Sequence, residues 1–383
     1  MENWEERALR FHKENKGKIE IKSKVPLKNS IDLSLAYTPW VSIPCLKIKE
    51  KKDLVYDFTA KGNLVAIVTD GSAVLGLGNI GPEAALPVME GKAILFKEFG
   101  NVDAFPICLN TQDAEKIIEI VKSISPGFGG INLEDISSPR CFLIEKKLKE
   151  SLDIPVFHDD QHGTAVVVYA GLINSLKLVN KKISEIKLVI NGAGAAGITI
   201  GKFLISAGAR RIKICDRNGI LYKGRKEGMN FAKEEIGLLT NPGEEKGELK
   251  DFLKGADVLV GVSGPNLVTP EMVKSMEKNP VIFAMANPVP EIMPDLAKRA
   301  GAAIVGTGRS DFPNQINNLL AFPGILRGAL DSRAKRITEK MKMAAALAIA
   351  RLAEEKLSPD FILPSPLDKR VGKEVSKAVS AAV

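Results

Sequence analysis

Two pairs of adjacent carboxylates, Glu134-Asp135 and Asp159-Asp160, each follow a short apolar run, and two of the three histidines, His158 and His162, flank the second pair. Three or four convergent carboxylate oxygens suit a hard divalent cation, Mg²⁺ or Mn²⁺, better than zinc. An isolated Asp-Asp is more often a turn or a helix cap; the repeated setting argues against that here. His158-x-x-x-His162 has the spacing of two zinc ligands on one helix face, which keeps a metal hydrolase in view. Against it, Gly163-Thr164 predicts a helix that begins only after His162, and no H-E-x-x-H glutamate is present. Lys92 lies among apolar residues, where a lysine either snorkels to water or acts as a base with a depressed pKa. Tyr37 stands in a loop with Pro39 and Trp40, a setting in which a tyrosine is more often packing than chemistry.

The elements that must position these groups read as α/β throughout. Leu64–Thr69 is an apolar run ending at Asp70-Gly71, and Asp103–Cys108, Ile131–Leu133 and Pro155–Phe157 are further strands. Helices are expected over Thr111–Ser123, with Ile117, Ile118 and Val121 on one face, and over Cys141–Leu152. Two parallel strands joined by one helix bring Glu134-Asp135 and Asp159-Asp160 to the same sheet edge. Gly76, Gly78 and Gly81 form a G-x-G-x-x-G, but Pro82 and the missing strand-helix-strand context favour close backbone packing over nucleotide binding.

From Ile183 the pattern changes. A strand over Ile186–Asn191 runs into Gly192-Ala193-Gly194-Ala195-Ala196-Gly197, a helix over Ile198–Ala207, and a second strand closed by Asp216, a little over 20 positions after Gly192. This is the dinucleotide fingerprint in its full context. Its glycines let a pyrophosphate approach the helix N-terminus, and Asp216 is placed to bond the adenosine ribose and favour NAD, with Arg217 leaving NADP open. Three more strands end in small or amide residues, Ser263 and Asn287 among them, where nucleotide and substrate would lie; Asn317-Asn318 follow on a later loop. Residues 334–356 read as an amphipathic helix and the Pro-rich 357–367 leads to a tail helix.

A chain of 383 residues suits two domains, 1–160 holding the metal and substrate groups and 161–383 a Rossmann-type doubly wound parallel sheet with C-terminal helices. The net charge of +8 and pI near 9.1 come from dispersed lysines with few aromatics, which argues against nucleic acid and for small anions. Apolar stretches such as Ala165–Leu176 are short for a membrane span, the first residues lack a signal-peptide layout, and a cytoplasmic protein is expected. Cys45, Cys108, Cys141 and Cys215 are too scattered for a zinc ribbon or a disulfide framework. Residues 1–30, with a helix expected over Glu2–Glu14, belong at the periphery or across a subunit interface.

Taken together, Leu35-Ala36-Tyr37-Thr38-Pro39, Thr69–Gly78, Met89-Glu90-Gly91-Lys92, Asn132–Asp135, Phe157–Thr164 and Ala286-Asn287-Pro288 resemble the malic enzymes of the shorter prokaryotic kind, over nearly the whole chain. The resemblance implies NAD(P)-dependent oxidative decarboxylation of malate to pyruvate and CO₂. It implies a divalent metal on Glu134, Asp135 and Asp160, with Tyr37 as general acid, Lys92 as general base or its proton partner and Asp159 as a supporting carboxylate. Asn287 and Asn318 become substrate amides, and a homodimer or larger homo-oligomer is expected. Two departures stand out: Trp40 occupies a place where the family usually has glycine, and no arginine stands near Ala73 for the substrate carboxylate. The rival on this scaffold is a redox-neutral malate or oxaloacetate decarboxylase.

Overall fold

The computed structural model describes residues 3–74 and 76–383. Glu2 of the expected first helix and Leu75 of the Thr69–Gly78 motif lie outside the described residues. The chain opens with an arm of four helices, α1 (Trp4–Asn15), α2 (Ser30–Ala36), α3 (Ser42–Glu50) and α4 (Val55–Phe58). No residue from 3 to 60 is buried, and more than half of the exposed large apolar side chains fall there, from Trp4 through Ile21 and Trp40 to Phe58. The arm is tied down at its middle, where Glu90 accepts from the Lys18 backbone amide at 3.0 Å and Lys24 pairs with Asp103 at 3.1 Å.

The first sheet follows, with β1 (Leu64–Thr69), α5 (Pro82–Gly100), β2 (Asp103–Cys108), α6 (Ala114–Ile124), β3 (Gly130–Leu133), α7 (Arg140–Ser151) and β4 (Val156–His158). Its order β2-β1-β3-β4 is parallel throughout. The register pairs Leu133 with His158, so both carboxylate pairs leave the sheet at one edge, as the spacing predicts. α6 buries Ile117, Ile118 and Val121.

α8 (Asp159–Val179) then crosses to the second sheet. It is long and apolar enough to cross a membrane, but 67% of its most apolar window is buried inside the fold, which makes it a core helix. It also begins four residues earlier than Gly163-Thr164 implies: His158 is its N-cap, and Asp159 and Asp160 occupy its first turn, where the helix dipole favours carboxylates. Gly163 does not mark the helix start. A Cβ there would stand 1.8 Å from Asp159 Oδ1, so the glycine makes room for that side chain.

The second domain runs β5 (Lys187–Asn191), α9 (Ala195–Ser206), β6 (Arg211–Asp216), β7 (Gly219–Ile220), α10 (Phe231–Thr240), α11 (Leu249–Leu253), β8 (Val258–Gly261), α12 (Pro270–Lys274), β9 (Val281–Ala284), α13 (Pro294–Arg299) and β10 (Ile304–Thr307). The order β10-β9-β8-β5-β6-β7 is parallel except for the β6–β7 hairpin, and strand order reverses beside β5, where the glycine loop lies. α14 (Phe322–Asp331), α15 (Glu339–Ala353) and α16 (Arg370–Ser380) complete the chain. α14 and α16 pack back onto α5, so one apolar cluster runs from Ile67 and Phe157 through Val168, Phe322 and Val375 to Ile190 and Phe283.

Candidate functional site

At the edge of the first sheet, β3 delivers Glu134 and Asp135 and β4 delivers Asp160 through the first turn of α8. Asp135 takes a φ of 53°, and its backbone amide donates to Asp160 Oδ2 at 2.9 Å. One oxygen from each of Glu134, Asp135 and Asp160 lies within 4.8 Å of the others. Asn132, two residues before Glu134 and so on its side of the strand, donates to Glu134 Oε2 at 2.8 Å.

α5 brings Lys92 to the same cluster. Its ammonium lies 2.6 Å from Asp159 Oδ2 and 2.8 Å from Glu134 Oε1, and 4.2 Å from the centre of the Phe322 ring. Asn318 donates its side-chain amide to Asp159 Oδ2 at 2.7 Å. Lys92 is 8% exposed and does not snorkel. Burial works against its charge, but Asp159 and Glu134 outweigh it and hold the ammonium above the ordinary lysine range. The carboxylates pay for their surplus of negative charge. Burial raises Glu134, Asp159 and Asp160, with Glu134 adding to the push on Asp159 and Lys92 opposing it. A site with three oxygen donors and more buried carboxylates than ammonium groups has the donor set and the charge deficit that a divalent hard cation fills.

The histidines do something else. His162 Nε2 is 2.7 Å from Glu145 Oε1 and its Nδ1 is 3.0 Å from Lys342 Nζ, so neither ring nitrogen is available to zinc. Burial pushes His162 down to about 4, which keeps the ring neutral. His158, fully buried, precedes the helix and points its Nδ1 at Asp160 from 3.6 Å. The two rings therefore do not form a zinc pair on one helix face, and the hydrolase reading is set aside. Glu145 and Lys342 gave no signal in the sequence; through His162 they brace α8 against α7 and α15. Arg140 and Ser72 were likewise missed. Arg140 donates to Asp70 Oδ2 at 2.7 Å, and Ser72 Oγ bonds both Asp70 Oδ1 and the Ser137 amide, locking the loop after β1 to the turn after β3.

The glycine loop of the first domain is a packing device only in part. A Cβ at Gly76 would meet the Asn287 carbonyl at 2.6 Å, so that loop touches the second domain, whereas Gly78 and Gly81 have open space and serve positive φ of 77° and 82°. Asn287 is exposed at the end of β9, and its side-chain nitrogen would lie 2.7 Å from a Cβ at Gly308. In the second domain Gly192 has φ 124°, a Cβ at Gly197 would meet the Gly192 carbonyl at 1.8 Å, and Gly194 faces open space at the N-cap of α9, with Ala195 and Ala196 starting the helix. This is the shape that lets a pyrophosphate reach a helix N-terminus. Ser263 receives Asn191 at 2.9 Å and gives its amide to Glu291 at 2.8 Å, a fully buried carboxylate that also accepts from the Ala286 amide and so ties the β8 and β9 loops together.

Two expected residues stand apart from their expected roles. Tyr37 caps α2 on the arm, is 67% exposed, and makes no side-chain hydrogen bond among the described residues. Asp216 is where the sequence places it, at the end of β6, but its carboxylate is taken up by Arg225 at 2.5 Å and Lys233 at 2.6 Å.

The family description of the malic enzyme N-terminal domain matches residues 16–149, and that of the malic enzyme NAD binding domain matches 161–383. The bifunctional malic/malolactic enzyme of Bacillus subtilis is 61% identical over 378 residues, 98% of this chain and 92% of its own length. The NAD-dependent malic enzyme of Geobacillus stearothermophilus is 57% identical, covering 96% of this chain and 76% of that protein. The NADP-dependent malic enzyme of Escherichia coli is 47% identical over 98% of this chain but only 52% of its own. The crystal structure of a malic enzyme from Pyrococcus horikoshii superposes with a TM-score of 0.95 at 52% identity, covering 98% of this chain and 90% of that one.

Proposed function

The chain belongs to the malic enzyme family, and we propose that it oxidatively decarboxylates (S)-malate to pyruvate and CO₂, passing a hydride to NAD or NADP, with Mg²⁺ or Mn²⁺ held by Glu134, Asp135 and Asp160. The observation that carries this reading is the joint cluster at one sheet edge. A three-carboxylate set lies against a Lys92–Asp159–Asn318 network, in a chain whose second sheet carries the glycine loop of a dinucleotide fold.

When bound, the cation held by Glu134, Asp135 and Asp160 would supply Lewis acidity to the decarboxylation, and a nicotinamide would serve as hydride acceptor. The rest falls to side chains. Lys92 and Asp159, 2.6 Å apart, make a relay in which the lysine takes the malate hydroxyl proton as it passes its own to Asp159, so the ammonium is retained and the proton ends on a carboxyl that burial has raised. Asn318 fixes Asp159 in that pose, and the exposed amide of Asn287 is available to the substrate where the two domains meet. Protonation of the enolate carbon after CO₂ leaves is assigned to Tyr37.

Tyr37 lies on an arm without one buried residue, and an exposed apolar surface of that extent marks an interface. The occupant proposed is a second copy of the chain, so that the arm, with Tyr37, is seated by the partner. Malate, Mn²⁺ and each coenzyme in turn, followed by the absorbance of reduced nicotinamide and by pyruvate release, test the proposal; neither product from purified protein sinks it. A second reading is favoured by the Bacillus subtilis relative, whose name couples malic and malolactic activities. Lactate formed from malate without net reduced coenzyme would select it.

A further inference from the structure

The relatives divide between NAD- and NADP-dependent enzymes, so identity alone leaves the coenzyme open. The end of β6 does not. Asp216 is the residue whose carboxylate, in an NAD-type site, accepts the ribose 2′-hydroxyl and repels a 2′-phosphate. Here its oxygens are already occupied. Oδ1 accepts from the Asn218 amide at 2.9 Å and from Arg225 Nη1 at 2.8 Å; Oδ2 accepts from Arg225 Nη2 at 2.5 Å and Lys233 Nζ at 2.6 Å. A carboxylate offers about four acceptor positions, and all are filled by protein donors.

The charge has also changed sign. Arg225 also donates to the Gly219 carbonyl at 3.1 Å, so it neutralises Asp216, and with its side chain 2% exposed it is too buried to meet a ligand. Lys233, on the first turn of α10, spends two donors on Asp216 and on the Gly228 carbonyl and keeps a third. Arg217 occupies the two-residue turn between β6 and β7, is exposed, and forms no ion pair or hydrogen bond among the described residues. Two cations hold one carboxylate, and a third, Arg217, follows it on the exposed turn, beside the strand end where a dinucleotide fold places the adenosine ribose.

We infer that this site accepts a 2′-phosphorylated dinucleotide, with Lys233 and Arg217 as specificity-determining ligands of the phosphate and Asp216 as the positioning residue that holds Lys233. The inference rests on the dinucleotide reading of the glycine loop and assigns the coenzyme class within it. A phosphate gains charge-assisted bonds from both cations, while NAD finds no free carboxylate for its 2′-hydroxyl.

Calorimetric titration of the full chain with NAD, NADP, adenosine 5′-monophosphate and adenosine 2′,5′-bisphosphate tests it. The bisphosphate is expected to bind about tenfold or more tightly than the monophosphate, the gain of one charge-assisted bond or better. Lys233→Gln and the exposed-site variant Arg217→Gln should each reduce the NADP-to-NAD affinity ratio several-fold. NAD binding with no advantage for the bisphosphate, or equal losses for both dinucleotides in both variants, overturns the inference and leaves the dinucleotide reading standing. Binding of neither dinucleotide overturns both.

Discussion

Asn318 reaches across 159 residues of sequence to place its side-chain amide 2.7 Å from Asp159 Oδ2, the same oxygen that holds the Lys92 ammonium. On the proposed reading Asp159 therefore handles protons, while its neighbour Asp160 is one of the three carboxylates that could hold a cation. Asp159→Asn keeps the shape and removes the charge. It is expected to lower kcat/KM for malate by about 10²- to 10⁴-fold, the usual range for losing acid–base assistance, while Mn²⁺ affinity measured by calorimetry stays within a few-fold of wild type. Loss of Mn²⁺ binding comparable to that of Asp160→Asn would move Asp159 into the ligand set.

The cation side has its own test. Mn²⁺ at about 100 times its dissociation constant should stabilise the fold by about 2.7 kcal/mol, because only the folded chain gathers Glu134, Asp135 and Asp160. Glu134→Gln and Asp160→Asn should lose most of the corresponding rise in Tm, and with it decarboxylation of added oxaloacetate as well as malate oxidation. Full oxaloacetate decarboxylation by either variant at saturating Mn²⁺ removes that residue from the site.

How much of this was legible depended on distance along the chain. Glu134-Asp135 and Asp159-Asp160 could be placed together because one β-α-β step fixes both strand ends, and the glycine loop because its strand, turn and helix are contiguous. The start of α8 was misjudged because Gly163 looks like a boundary and is in fact a space for Asp159. The pairing of His162 with Lys342, 180 residues away, has no local pattern. Asp216 shows the same limit at short range: its position follows from the strand, but Arg225 returns to it from an irregular segment and Lys233 from the first turn of α10, and no periodicity links either to the strand end. Tyr37 was found through its motif alone, since an arm without a core gives sequence reasoning no packing to fix its place.

The cysteines give a check on the core. Burial pushes the Cys141 and Cys215 thiols up to about 12, each adjacent to acidic groups that add to the effect. A buried thiol so far from its thiolate is inert. In native protein at pH 8, a disulfide exchange reagent should leave both unmodified and react with them only on unfolding, whereas Cys45 on the arm is exposed in the single chain. Fast native labelling of Cys141 or Cys215, located by peptide mass, would contradict the packing of α7 or β6.

The arm yields the sharpest test, because a tyrosine supplied by a second copy and a lysine supplied by the first can be separated genetically. Tyr37→Phe and Lys92→Ala should each be nearly inactive as a pure preparation, one lacking the acid and the other the base. If the arm of each copy serves the partner's site, unfolding and refolding the two variants together produces mixed dimers in which one site carries both substitutions and the other carries neither. Random pairing in a two-fold dimer then restores about a quarter of wild-type activity. Had Tyr37 served the Lys92 of its own chain, every site in the mixture would keep one defect and no activity would return. Size measurements at the assay concentration accompany the test, since an active enzyme that is monomeric there removes the second copy from the proposal and leaves the exposed apolar surface of Trp4 to Phe58 to some other partner.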